Sequence, residues 1–159
     1  MRSCLTNHGY KIRKSELSMS EVKEIKDELT VKPFSFNKSM NKDAGKFPVF
    51  LESPKKLYLP RFYGYNKWGL AQETNLFPGD TISIPFKGDL REEQKPIEQL
   101  YIDSAHSIGG GIISLKCGGG KTVLALHIIS VLKVKTLVVV HKDFLMTQWR
   151  DRITEFLPS

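Results

Sequence analysis

Cysteine is scarce in this chain: Cys4 and Cys117 are its only two in 159 residues. They are too few and too far apart for a zinc cluster or a disulfide framework. Long apolar runs are missing as well. None reaches the roughly 18 residues that a membrane helix needs, and the N-terminal MRSCLTNHGYKIRK lacks the apolar core of a secretory signal. Internal repeats and low-complexity tracts are also absent, which excludes solenoids and biased linkers. Together these absences imply a soluble protein of a reducing, intracellular compartment, with no membrane partner.

What is present is ordinary for a globular chain, 40% hydrophobic and 26% charged. The balance of charge is not neutral. A net charge of +7 and a pI near 9.4 favour polyanionic partners, because clustered Lys and Arg release counterions when they neutralise phosphates.

Residues 1–17 are polar, basic and aperiodic, and read as a mobile arm. From Ser18 the SMSE run matches a capping box, with Val22, Ile25 and Leu29 on one face of a short helix. Residues 18–87 then form an N-terminal extension that is partly β. FPVFL (47–51), KLYLP (56–60) and TISIPF (81–86) are short apolar runs punctuated by Pro and Gly. Within it, PKKLYLPRFYGYNKWG interleaves Lys55, Lys56, Arg61 and Lys67 with Tyr58, Phe62, Tyr63, Tyr65 and Trp68. Two readings fit: aromatic side chains that fill the core of a small sheet with lysines on its wet face, which we prefer, or aromatics that stack on bases while cations hold phosphates.

From residue 88 the text becomes α/β. Pro96 suits a first helical turn, and Ile97, Leu100, Tyr101 and Ile108 make one apolar stripe. GGGIISL predicts a buried strand, TVLALHIISVL a helix, TLVVVH (136–141) a second strand and DFLMTQWRDRITEFL a second helix, with Leu145, Trp149, Ile153 and Phe156 at helical spacing. Strand, loop, helix, strand, helix is a parallel unit.

Between the first strand and its helix stands LKCGGGKT (115–122). A phosphate-binding loop needs backbone N–H groups turned around an anion and a helix N-terminus behind them. Gly118, Gly119 and Gly120 can make the turn, Lys121 would reach the β and γ phosphates of ATP, and the Thr122 hydroxyl would ligate Mg. The strict pattern has glycine where this chain has Leu115. The flanking apolar strand and helix supply the context that the motif requires. Cys117 inside the loop is either a reactive thiol acidified by its surroundings or a small buried apolar residue.

In order and spacing, LREEQKPIEQL (90–100), LKCGGGKT and LVVVHKDFLMTQW (137–149) resemble the Q motif, motif I and motif Ia of superfamily 2 helicases, a DEAD/DEAH-like group in which motif I commonly lacks the first glycine. The chain is closer to the transcription and repair helicase-like branch, where an Arg and a Gln precede motif I and a Gln-Trp pair follows motif Ia. KPFSF (32–36), FPVFLES and KLYLPRFYG resemble the segment ahead of the ATPase domain in helicases of large double-stranded DNA viruses. The resemblance implies an incomplete RecA-like P-loop domain over 88–159. It implies that Gln94 contacts adenine, that Gly118, Gly119, Gly120, Lys121 and Thr122 hold ATP and Mg, and that Lys142 and Gln148 lie near DNA or RNA. His141 and Lys142 stand where many relatives have a proline and a small hydroxyl residue, which replaces a hydroxyl contact by a charge.

The acid pair of motif II does not occur by Ser159. Asp143 follows the loop helix too closely and has no acidic neighbour. The resemblance therefore implies the N-terminal portion of an ATP-dependent helicase working with transcription or replication machinery, able to bind nucleotide with little turnover alone and with no catalytic residue identified. The alternatives are another P-loop enzyme, kinase-like, or a nucleic-acid-binding module with a vestigial loop.

Overall fold

The computed structural model describes residues 3–32 and 45–158. Most of the KPFSF segment lies outside the described residues. The chain divides into two compact units, Met1–Phe77 and Pro78–Ser159, and its class is mixed α/β.

The first unit is a small sheet covered on one side by helices. Its strands are β1 (Cys4–Thr6), β2 (Gly9–Arg13), β5 (Leu51–Glu52), β6 (Lys56–Leu59) and β7 (Glu73–Thr74), in the order β5-β6-β2-β1-β7. β1 and β7 are parallel and the other pairs antiparallel. A separate pair joins β3 (Thr30–Val31) to β4 (Phe47–Pro48). The helices are α1 (Met19–Glu28) and α2 (Arg61–Trp68).

The expected mobile arm is instead the middle of this sheet. β2 pairs with β1 on one side and β6 on the other, and Tyr10 and Ile12 are fully buried. The physical reason is alternation: Tyr10 and Ile12 face inward while Lys11 and Arg13 face outward, so a segment that reads as basic by composition still donates an apolar face. Residues 61–68 are the second correction, a helix inside a region read as strands and turns. Pro60 precedes its first turn and Gly69, at φ 80°, ends it.

α1 starts as the sequence predicts. The Glu21 amide donates to Ser18 Oγ (3.2 Å) and the Ser18 amide to Glu21 Oε2 (2.7 Å). Ile25 and Leu29 then meet Tyr10, Ile12, Leu57 and Leu59 in one core, with Tyr63, Tyr65 and Trp68 packed against it. Those three aromatics are thus structural. α2 approaches the sheet so closely that a Cβ on Gly64 would stand 2.2 Å from Tyr10 Cγ. On the outer side of the helices, Tyr63 donates to Glu28, and Lys67 pairs with Glu24 and Glu28.

The second unit contains α3 (Lys95–Ile108), α4 (Lys121–Leu132) and α5 (Asp143–Phe156). Leu90, Leu124 and Ile128 form its core with Ile97, Tyr101, Ile113, Leu115 and Leu132 around them. Phe86 stacks on Phe156 and meets His127 edge-on. His127 Nδ1 also lies 2.9 Å from Glu98 Oε1, close but not aligned for a hydrogen bond.

The two predicted strands of this unit are not hydrogen-bonded strands. Among the described residues, 111–116 and 136–141 join no ladder, and the one bridge nearby is antiparallel, Thr81 to Val134. Nor are they buried on both faces: Ile112, Leu137 and Val139 are 97%, 86% and 83% exposed. Apolar patterning reports which side chains want burial, whereas a strand also requires a lateral hydrogen-bonding neighbour. The alternation itself survives, since Ile113, Leu115, Val138 and Val140 are half-buried between exposed neighbours.

Gly64→Ala should cost at least about 2 kcal/mol in denaturant melts, because the clash is with a fully buried ring; Ser18→Ala should cost about 1 kcal/mol. Hydrogen bonds from Ser18 to Glu21, from Tyr63 to Glu28, and from Lys14 and Lys26 to Glu52 hold all three carboxyls below the usual range. A depressed folded-state value contributes stability above the unfolded value and loses it as pH falls, so the unit should melt earlier on acidification from about pH 5 to 3. Replacing Glu52 by Gln should flatten that slope in thermal melts across the same range.

Candidate functional site

The glycine loop of the second unit is built from below by one buried side chain. Gln94 is 2% exposed and caps the entry to α3 with helical backbone angles. Its Nε2 donates to the carbonyl oxygens of Gly119 (3.1 Å) and Gly120 (3.3 Å), and its Oε1 accepts from the Arg91 amide (3.0 Å). Buried amides need such partners, since each one left unmade costs desolvation without return. Arg91 adds a second strut, its Nη1 donating to the Gly118 carbonyl at 3.3 Å.

The loop conformation needs glycine at two places. Gly118 and Gly120 sit at φ 76° and 72°, in the left-handed region. At Gly120 space is a further limit, because a Cβ there would stand 2.5 Å from Gln94 Nε2. The Gly119 amide closes the turn on the Lys116 carbonyl at 3.1 Å.

Gly120 is the N-cap of α4 and supplies no side-chain cap to its first turn. Backbone N–H groups at such a terminus favour an anion, through their own hydrogen bonds and the helix dipole. Lys121 is the first residue of the helix and Thr122 the second. Lys121 Nζ donates to the carbonyl oxygens of Leu115 (2.7 Å) and Lys116 (2.9 Å), so its ammonium lies across the loop. Cys117 is exposed, which removes the reading of a buried apolar filler.

Of the residues predicted from sequence, the structure brings together Gln94, Gly118, Gly119, Gly120 and Lys121. Gln94 meets the loop backbone; contact with adenine would require its amide to leave those carbonyls. Lys142, the N-cap of α5, and Gln148 are exposed, and among the described residues no hydrogen bond joins either to the loop. Six residues apart, they leave α5 in different directions. Trp149 is half-buried. Arg91 was missed as a site residue although its spacing to Gln94, three residues, places both in one turn.

Beside Gln94, Lys95 donates to Glu92 at 2.6 Å, which holds its ammonium above the ordinary lysine value. Both residues line an open polar cleft of about 610 Å³ with Asp89, Glu98 and His127. Among the described residues, no group of three or more His, Cys, Asp and Glu could hold a metal ion, and no helix is long and apolar enough to cross a membrane.

The second unit thus holds a glycine turn, packed on a buried glutamine and opening a helix at lysine. Residues 87–159 match the family described as the type III restriction enzyme res subunit. Over 158 residues the chain is 33% identical to a protein of Acanthamoeba polyphaga mimivirus provisionally named an ATP-dependent RNA helicase, covering 96% of this chain and 30% of that protein. A provisionally named helicase of Invertebrate iridescent virus 6 is 39% identical over 85 residues, 54% of this chain and 19% of the relative. The DNA 3'-5' translocase XPB2 of Sulfurisphaera tokodaii is 34% identical over 102 residues, 61% of this chain and 22% of the relative. The chain is therefore a relative of superfamily 2 helicases, of the transcription and repair branch and of the large DNA viruses. It spans less than a third of the length of each of these three proteins.

Gln94→Leu, which keeps the volume and deletes three hydrogen bonds, should destabilise the second unit by about 2 kcal/mol in chemical denaturation. Gln94→Glu should also weaken it, because an ionised carboxylate would face the Gly119 and Gly120 carbonyls.

Proposed function

We propose that residues 88–159 form the nucleotide-holding part of a RecA-like ATPase domain, preceded in the chain by the unit that ends at Phe77. The parent activity would be ATP-dependent movement along, or unwinding of, DNA or RNA. The observation that carries this reading is the loop at the start of α4, propped by Gln94 and Arg91 and crossed by the Lys121 ammonium.

The residues present fit a nucleoside triphosphate. The turn leaves the first amides of α4 without a side-chain cap, and a cation stands at its mouth. In this role Gly118, Gly119 and Gly120 surround the phosphates with backbone. Lys121 would exchange the Leu115 and Lys116 carbonyls for phosphate oxygens, and the Thr122 hydroxyl would help hold the Mg that travels with ATP, whose chemistry there would be neutralisation of phosphate charge. Lys142, at the start of α5, acts on the nucleic-acid track through charge, and Gln148, which leaves the helix in another direction, would reach the track separately. The task assigned to this stretch is holding nucleotide, with little turnover expected of it alone.

Binding of a fluorescent ATP analogue with Mg to the chain and to Lys121→Ala tests the reading. The substitution should weaken binding at least about tenfold, in line with loss of a charge-assisted contact to phosphate. Equal affinity in the two folded proteins would rule the loop out as the nucleotide site.

A further inference from the structure

The first unit has two chemically opposite sides. Through residue 77 the chain carries 14 Lys and Arg against 8 Asp and Glu, and beyond it 10 against 9. The excess positive charge therefore belongs almost wholly to the first unit. Its acidic residues cluster toward the helices: Glu24 and Glu28 pair with Lys67, and Glu52 pairs with Lys14 and Lys26. Lys14, Lys26 and Lys67 are thus matched.

The other side of the sheet is different. Tyr10, Ile12, Leu57 and Leu59 point into the core shared with both helices, so alternation turns Lys11, Arg13, Lys56 and Tyr58 outward. Register sets them side by side, Lys11 opposite Tyr58 and Arg13 opposite Lys56. Leu51 stands on the far side of Tyr58, and the His8 ring meets Tyr58 edge-on at 5.6 Å. Among the described residues Lys11, Arg13, Lys55 and Lys56 make no ion pair. Like charges directly opposite across strands, such as Arg13 and Lys56, weaken a sheet; an anion bound between them removes the penalty.

Two open grooves flank this row. One, of about 570 Å³, is lined by Arg13, Lys14, Lys55 and Lys56. The other, of about 370 Å³, is lined by His8, Phe50, Leu51 and Tyr58. A run of unpaired cations beside an apolar groove that carries the Tyr58 and His8 rings suits a polymer with phosphates on one edge and flat bases on the other. An acidic protein segment would use the cations but has no need of that groove.

We propose that the outer face of the β5-β6-β2 sheet binds single-stranded nucleic acid, with Arg13, Lys55 and Lys56 on the phosphates and Tyr58 stacking on a base. This surface is separate from the glycine loop and does not depend on the loop's binding nucleotide.

Fluorescence anisotropy of labelled 20-nucleotide dT and U oligomers with the full chain tests it. Arg13→Glu and Lys56→Glu should each weaken binding about tenfold and lower the salt slope by about one. Lys23→Glu, the same charge change on α1, should do so less than about twofold. Tyr58→Ala should weaken binding about fivefold and Tyr58→Phe restore it. Arg13→Glu also places an acid opposite Lys56, so its melting temperature should not fall, which separates lost binding from lost fold; Lys55→Glu in the turn is a further check. Equal effects of Arg13→Glu and Lys23→Glu would overturn the proposal. So would competition by polyglutamate as strong as that by the oligomers together with an inert Tyr58→Ala, which would assign the face to an acidic protein. Binding of the ATP analogue should be unchanged in all these variants, so failure here leaves the loop reading standing, and the reverse holds as well.

Discussion

One buried amide, that of Gln94, decides the shape of the glycine loop. Three glycines in succession give a chain with little intrinsic preference and a high entropic cost of ordering. The cost is offset because the Gly119 and Gly120 carbonyls both turn down onto a donor that has no access to water, and the amide's oxygen is satisfied by the Arg91 backbone. With the carbonyls directed inward, the peptide planes of the turn are fixed, and with them the start of α4. Lys121 is thereby placed at the loop mouth and Thr122 one residue on. A loop assembled from glycine and water alone would leave that lysine free to swing.

This explains why the site was more legible in the sequence than the fold around it. Gln94, Gly118, Gly120 and Lys121 form a local constellation, set by a turn at each of two helix starts, and turn chemistry is written in short stretches of sequence. The capping box at Ser18 and Glu21 was legible for the same reason. Sheet membership is not local. Residues 9–13 read as a basic arm because their apolar members, Tyr10 and Ile12, are only two and alternate with Lys11 and Arg13; β1 is joined to them by the short turn at Asn7 and His8, but β6, on their other side, lies far along the chain. The helix at 61–68 was hidden by its aromatics, which have strand-like propensity and bury only because the α2 backbone can press against Tyr10 at Gly64.

The same non-local logic sorts the aromatic and basic segment into two kinds of residue. Read along the chain, Tyr58, Tyr63, Tyr65 and Trp68 look equivalent. In space they divide, since Tyr63, Tyr65 and Trp68 belong to the helix and pack against the core, while Tyr58 belongs to β6 and faces outward beside Lys11 and Lys56. The lysines divide with them: Lys67 lies over the Tyr63 and Trp68 rings and pairs with α1, whereas Lys55 and Lys56 keep company with Arg13. Composition counts such residues as one class, and only the register of a strand separates them.

The position of Lys121 links structure to response. Its ammonium is held by two carbonyls of its own loop, each a neutral partner at good distance. Phosphate oxygens are charged acceptors and form hydrogen bonds roughly twice as strong. In the proposed role, exchange of partners would favour the nucleotide without requiring a new fold of the loop, because the Gln94 and Arg91 struts hold Gly118, Gly119 and Gly120 independently of the lysine. What the exchange would release is the Leu115 and Lys116 end of the segment leading into the loop. That segment already packs by only one face, through Ile113 and Leu115. Loss of those two lysine contacts would fall on a segment that joins no ladder among the described residues, which is where a nucleotide-dependent rearrangement would begin.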